Sequence, residues 1–296
     1  MRSRILSGRL QGVTRVLEFL IPNNVVCHAV EAMLLASIAC SILSVIIVQI
    51  NMGSIGFTMA HAAFAGAAVG IFLSLNPTLT AIIAGLAVAG LAVAGLLGPL
   101  SDRAKVSADT ALGALFGTSM AVAVFFIAYL QQIGRGFDAS GLLFGDVISL
   151  YREEIYALAL ISIVAILFVT LFSKEITAII FDRRIAEAAG IRVRPVYYAL
   201  LFMIAMTVAL SLNIVGGLLL YIWLVMPAVI VLQFCRNIRQ MFIAAPIVAA
   251  CISVIGALAG LNHSLPVAPL TALLFGVVFA FAVIVSPRRR ITVRKS

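Results

Sequence analysis

About nine runs of mostly apolar residues, each near bilayer-spanning length, follow one another along this chain with short polar connections between them. An α-helix rises about 1.5 Å per residue, so some 20 apolar residues match the thickness of a bilayer's hydrocarbon core. In lipid, every backbone N–H and C=O must find its partner within the protein, which makes helices of such runs. The sequence therefore predicts an all-α fold: a polytopic membrane helical bundle of about nine transmembrane helices, at about 27–50, 54–74, 78–97, 110–130, 155–173, 196–213, 215–234, 242–261 and 267–286. With 64% hydrophobic and 10% charged residues, a soluble globule is excluded.

The net charge of +9 would suggest nucleic acid as a partner in a soluble protein. Here it orients the chain in lipid instead, and no nucleic-acid partner is expected. The connections 98–109, 174–195 and 235–241 and the C-terminal tail carry fourteen Lys and Arg residues, whereas the opposite loops carry Arg135 and Arg152. By the positive-inside rule the first set is cytoplasmic, in a multi-pass protein of the cell membrane. Three regions follow: a basic, interfacial or membrane-associated segment 1–26, a transmembrane domain 27–286 and a basic cytoplasmic tail 287–296. An odd number of spans places Arg2, Arg4, Arg9 and Arg15 outside. Either that segment lies in the interface, or one of the first two spans is an incomplete crossing, for which the Gly-rich stretch 51–60 is the candidate.

Small residues four apart let helix backbones approach closely. Gly66 and Gly70, Gly113 and Gly117, Gly256 and Gly260, and Ala81, Gly85 and Ala89 have this spacing. Because the pairs are spread over several helices, internal packing is expected. Cys27, Cys40, Cys235 and Cys251 form no C-x-x-C pair and read as packing residues.

No G-x-x-x-x-G-K-[ST] phosphate loop, H-E-x-x-H or G-x-S-x-G occurs. The chain is thus read as a conduit, not an enzyme, with no cofactor of its own. One charged island, Lys174 to Pro195, interrupts the apolar pattern. Ile176, Ile179, Ile180, Ile185, Ala188 and Ala189 recur at helical spacing while Asp182, Arg183, Arg184, Glu187, Arg192 and Arg194 project elsewhere. A short amphipathic cytoplasmic helix is expected, stopped by Gly190, with Pro195 separating it from the next span.

The island's F-D-x-x-x-A-x-x-x-G, at Phe181, Asp182, Ala186 and Gly190, resembles the coupling region of the permease subunits of zinc/manganese/iron uptake ABC transporters. Further stretches resemble the same family in the same order: His61 with Ala62 and Gly66; Leu143, Phe144, Gly145 and Asp146; Val215, Gly216, Leu219 and Leu220 followed by Met226, Pro227 and Ala228; and Leu265, Pro266, Pro269 and the 286–289 ending. The resemblance implies a permease that pairs with a second copy of itself and receives cargo from an extracytoplasmic binding protein. It also implies that Phe181, Asp182, Ala186, Glu187 and Gly190 meet a cytosolic dimer of ATP-binding subunits, where the ATP is held.

The chain departs from the family at the cargo. Where the family presents D-x-x-S-H, this sequence has Phe57 and Ala60 before His61, and Ala65 replaces a proline. Imidazole alone ligates a transition metal weakly. Ionisable groups inside spans are suspected of function, so Glu31, with His28 on roughly the same face, is the candidate to supply the missing charge across the bundle; hydrogen bonds to backbone or water are the competing reading. Three functions fit the sequence: an ABC importer permease for a divalent transition metal, an ABC permease for a metal chelate or small organic molecule, and a secondary transporter driven by an ion gradient.

Overall fold

The structure, a computed structural model, describes residues 25–73, 95–96, 103, 105–134, 145 and 152–286. Ten helices account for nearly all of them: α1 (Val25–Gln49), α2 (Ser54–Leu73), α3 (Ala108–Gln132), α4 (Arg152–Leu171), α5 (Ser173–Phe181), α6 (Arg183–Ala188), α7 (Val193–Val215), α8 (Gly217–Leu232), α9 (Ile238–His263) and α10 (Val267–Val285). No strand occurs among the described residues.

Seven of these helices are long and apolar enough to cross a membrane. The eighth apolar helix, α8, has 16 residues, or about 24 Å, less than a hydrocarbon core about 30 Å thick. Eight of the nine expected spans therefore coincide with helices, within a few residues at each end. The ninth, at about 78–97, lies outside the described residues apart from its last turn, as do segment 1–24 and the tail from 287.

The centre of the bundle is α1, which packs against α9, α8, α4 and α7. Its small residues explain that position: Ala29, Ala32, Ala36, Ser37, Ala39, Cys40, Ser41 and Ser44 are buried, and none is bulky enough to hold a neighbour away. The serine hydroxyls donate to their own helix, as from Ser44 to Ser41 O at 2.7 Å. In return, Ser162 of α4 reaches across to Leu35 O at 2.9 Å. The core is completed by Trp223 and Phe275, both fully buried.

The spaced glycines divide into two kinds. A Cβ on Gly256 would stand 2.8 Å from Thr271 Cβ, and one on Gly260 would stand 2.9 Å from Val267 Cγ2, so α9 and α10 meet there at backbone distance. Internal packing holds for that pair. Gly113 and Gly117 on α3 have no described atom within 4 Å of such a Cβ.

The island is two helices instead of one. Asp182 leaves the helix at φ −164° and ψ 117°, and its carboxylate accepts from Ile185 N at 3.2 Å, an N-cap that starts α6 afresh. That break turns the second half about its axis. Ile176 is 2% and Ala186 3% exposed, whereas Phe181 and Ile185 are 80% and 68% exposed. The single apolar face expected from Ile176 to Ala189 is thus split, its first half turned inward and its second outward. Gly190 does end the segment, at φ +81°, with Gly190 N donating to Glu187 O and Ile191 N to Ala186 O. Pro195 lies inside the first turn of α7, where its missing N–H would have had no helical acceptor.

Candidate functional site

The contact between α2 and α8 fixes where His61 lies. Gly56 takes the side chain of Leu224 at Cβ distances of 2.9–3.0 Å, and Gly217 lies opposite Ala60 at 3.9 Å, so the two helices run antiparallel in close register. The break between α7 and α8 consequently stands level with Ala60, about 9 Å along α2 from its start. Gly216, at φ +80° and ψ 157°, forms that break. Gly145 presses on it from the outer loop: a Cβ at Gly145 would meet Val215 C, Ile214 O at 2.6 Å and Gly216 N at 2.7 Å. Two of the short motifs read from the sequence are therefore in backbone contact.

At the same level lies a cluster of four rings. Phe57 and His61, one turn apart on α2, have centroids 4.2 Å apart. Phe116 of α3 lies 4.5 Å from Phe57 and 4.9 Å from His61, edge to face with the imidazole. Tyr221 of α8 closes the group at 5.3 Å from Phe57. These separations and tilts are those that aromatic quadrupoles favour. All four side chains are half-buried. Beside them the Thr58 hydroxyl lies 2.9 Å from Ser54 O and 3.1 Å from Leu112 O, tying α2 to α3.

His61 is oriented by its own helix. Its Nδ1 lies 2.9 Å from Phe57 O; a carbonyl only accepts, so Nδ1 carries the proton and the neutral ring's lone pair is on Nε2. No described residue bonds to Nε2. Phe57 thus occupies the place of a carboxylate twice over, by sequence position and by lying against the imidazole.

Glu31 is exposed and accepts from Cys27 Sγ at 3.3 Å, while His28 is half-buried beside it. Measured along the helices from the turn joining α1 to α2, Glu31 is about 27 Å away and His61 about 10 Å. Among the described residues no three His, Cys, Asp or Glu side chains gather into a group that could hold a metal ion. Asp182, Glu187 and Gly190 are exposed together on the island, next to Phe181. Phe116 and Tyr221 carry no signal of their own in the sequence, because an aromatic residue in an apolar span usually packs against core or lipid.

The family model described as the ABC 3 transport family matches residues 23–286. The chain is 30% identical over 260 residues to the manganese transport system membrane protein MntC of Bacillus subtilis, covering 86% of this chain and 60% of that protein. It is 26% identical over 268 residues to the chelated iron transport system membrane protein YfeD of Yersinia pestis, covering 90% and 88%. Among solved structures, PsaBC from Streptococcus pneumoniae in complex with Fab superposes with a TM-score of 0.81 at 19% identity, over 96% of this chain and 100% of that one.

Proposed function

The chain belongs to the ABC 3 transport family, and from that premise we propose that it is the membrane permease of an ATP-driven importer of transition-metal cargo. The names of its relatives, which transport manganese and chelated iron, support the cargo class. The sequence holds no phosphate loop, which supports giving ATP binding to a separate cytosolic subunit.

The observation that carries this reading is the island. Phe181 and Ile185 stand out from α5 and α6 beside Asp182 and Glu187, while Ile176 and Ala186 anchor the same segment to the bundle. An anchored segment with an uncovered apolar tip is suited to grip a partner and to pass its movement on. Because α5 packs against α7, α4 and α1, and α7 in turn against α2 and α8, a push on Phe181 would reach the helices of the ring cluster through α7. An extracytoplasmic binding protein delivers the cargo to the opposite face. A second permease copy packs on α3, whose Gly113, Gly117 and Ala121 form a strip of small residues exposed among the described residues. His61 meets the cargo, and Glu31 with His28 forms an acidic station near the other end of α1.

Reconstitution tests the proposal. The complex recovered with the chain should contain an ATPase and drive ATP-dependent uptake of manganese, zinc or iron into proteoliposomes. Phe181→Asp should uncouple hydrolysis from uptake. Uptake by the chain alone, driven by a proton or sodium gradient, would overturn the reading in favour of a secondary transporter.

A further inference from the structure

Resting on the permease reading, we propose that the rings of Phe57, Phe116 and Tyr221 together with Nε2 of His61 recognise a metal enclosed in a flat organic chelate. Phe57 is the residue that selects against the hydrated ion.

The donor set argues this first. A transition metal stripped of water needs about four ligands or more to offset lost hydration. The cluster offers one nitrogen lone pair, fixed in place because Nδ1 is occupied by Phe57 O. The remaining polar group is the Tyr221 hydroxyl, which has no hydrogen-bond partner among the described residues. The neighbouring positions on α2 are alanines, Ala60 and Ala62, both buried, and the described residues hold no group of three His, Cys, Asp or Glu that could bind a metal ion. A metal seated here brings most of its ligands with it, and Nε2 fills one position left open.

The surfaces argue it second. The rings of Phe116 and Tyr221, 4.5 and 5.3 Å from that of Phe57, present with it a surface that stacks on a conjugated ligand and gives nothing back to a hydration shell. Their half-buried state leaves them approachable. A carboxylate at position 57 would invert this preference. It would lie one helical turn from the imidazole and offer a hard anionic oxygen where the benzyl group now stands.

The chain's single tryptophan, Trp223, shares α8 with Tyr221 and supplies an intrinsic emission signal. The purified full-length chain in detergent would be titrated with radioactive zinc alone, with zinc held by one 1,10-phenanthroline, and with phenanthroline alone, following bound zinc and Trp223 emission. Two stacking contacts predict that the native chain prefers the zinc chelate by about tenfold or more over zinc alone. Phe57→Asp should reverse that order, and Phe116→Leu should weaken chelate binding while leaving zinc alone unchanged. Tyr221→Phe, which keeps the ring, should retain it.

Equal affinity of the native chain for both zinc forms would overturn the proposal. So would chelate binding that neither Phe57→Asp nor Phe116→Leu alters, or phenanthroline alone binding as tightly as its zinc complex. Uptake separates this from the reading beneath it. ATP-driven transport of free and chelated zinc at one rate removes the chelate proposal alone, whereas no ATP-driven uptake of either form removes the permease with it.

Discussion

The ring of Phe57 lies 4.2 Å from the imidazole of His61, and the carbonyl of the same phenylalanine accepts that imidazole's Nδ1 proton at 2.9 Å. One residue thus sets the tautomer of its neighbour and covers one side of its ring. Phe57→Leu keeps the helix and most of the apolar volume but loses three ring contacts. It should destabilise the protein by about 1–3 kcal/mol, read as a lower midpoint of thermal unfolding in detergent. An unchanged midpoint would mean that the rings contribute nothing to packing.

The two kinds of glycine make opposite predictions. Gly256→Ala forces a methyl group against Thr271 and should cost about 1–3 kcal/mol, whereas Gly113→Ala meets nothing within the described chain and should gain about 1 kcal/mol of helix propensity. Gly113→Ile should leave the unfolding midpoint within the same range yet weaken self-association in detergent. Light scattering at graded protein concentration measures it, and an unaffected dimer would remove α3 from the interface.

Asp182 caps α6 through its carboxylate oxygen. Asp182→Ala should fray α6 at a cost of about 0.5–2 kcal/mol, and Asp182→Asn should hold most of it. Hydrogen exchange at 185–191 distinguishes the two variants. If the island transmits the motor's stroke, the alanine variant should also couple ATP hydrolysis to uptake less tightly, with the asparagine variant near the native ratio.

Gly145 has backbone, not flexible side chain, on the far side of its missing Cβ. Gly145→Ala therefore cannot be relieved by a rotamer change, and it should separate the outer loop from the α7–α8 break. Hydrogen exchange at Gly216 and Gly217 should rise several-fold, an effect absent from Gly134→Ala, where the added methyl meets no described atom.

Ser253 Oγ and Thr207 Oγ1 are buried with no hydrogen-bond partner among the described residues. Ser253→Ala and Thr207→Val should be neutral or stabilising by about 1 kcal/mol, because a desolvated hydroxyl is removed and no bond is lost. A large loss of stability would reveal a bound water that each hydroxyl holds.

The spans are legible in the sequence because the bilayer's thickness and the pairing of backbone groups leave a long apolar run one solution. Gly190 is legible as a stop for the equally local reason that the left-handed turn after a helix favours glycine. The split of the island is not, since Ile176 to Ala189 keeps a helical period straight through Asp182, and only the competing cap at Ile185 N breaks it. At the site, His61 and the odd residue Phe57 can be picked out from one sequence. Phe116 and Tyr221 cannot, because their meeting depends on the register between α2, α3 and α8, set by contacts of Gly56, Thr58 and Gly217 between helices that are distant in sequence.

The shortness of α8, 16 residues, has a practical corollary for anyone mapping which segments face which compartment. Its first residue, Gly217, starts level with Ala60, so a reporter enzyme or glycosylation tag spliced after Gly216 would emerge partway through the bilayer. Such a fusion has no side to declare, and a two-compartment assay that demands inside or outside would give contradictory signals at this one join while agreeing everywhere else.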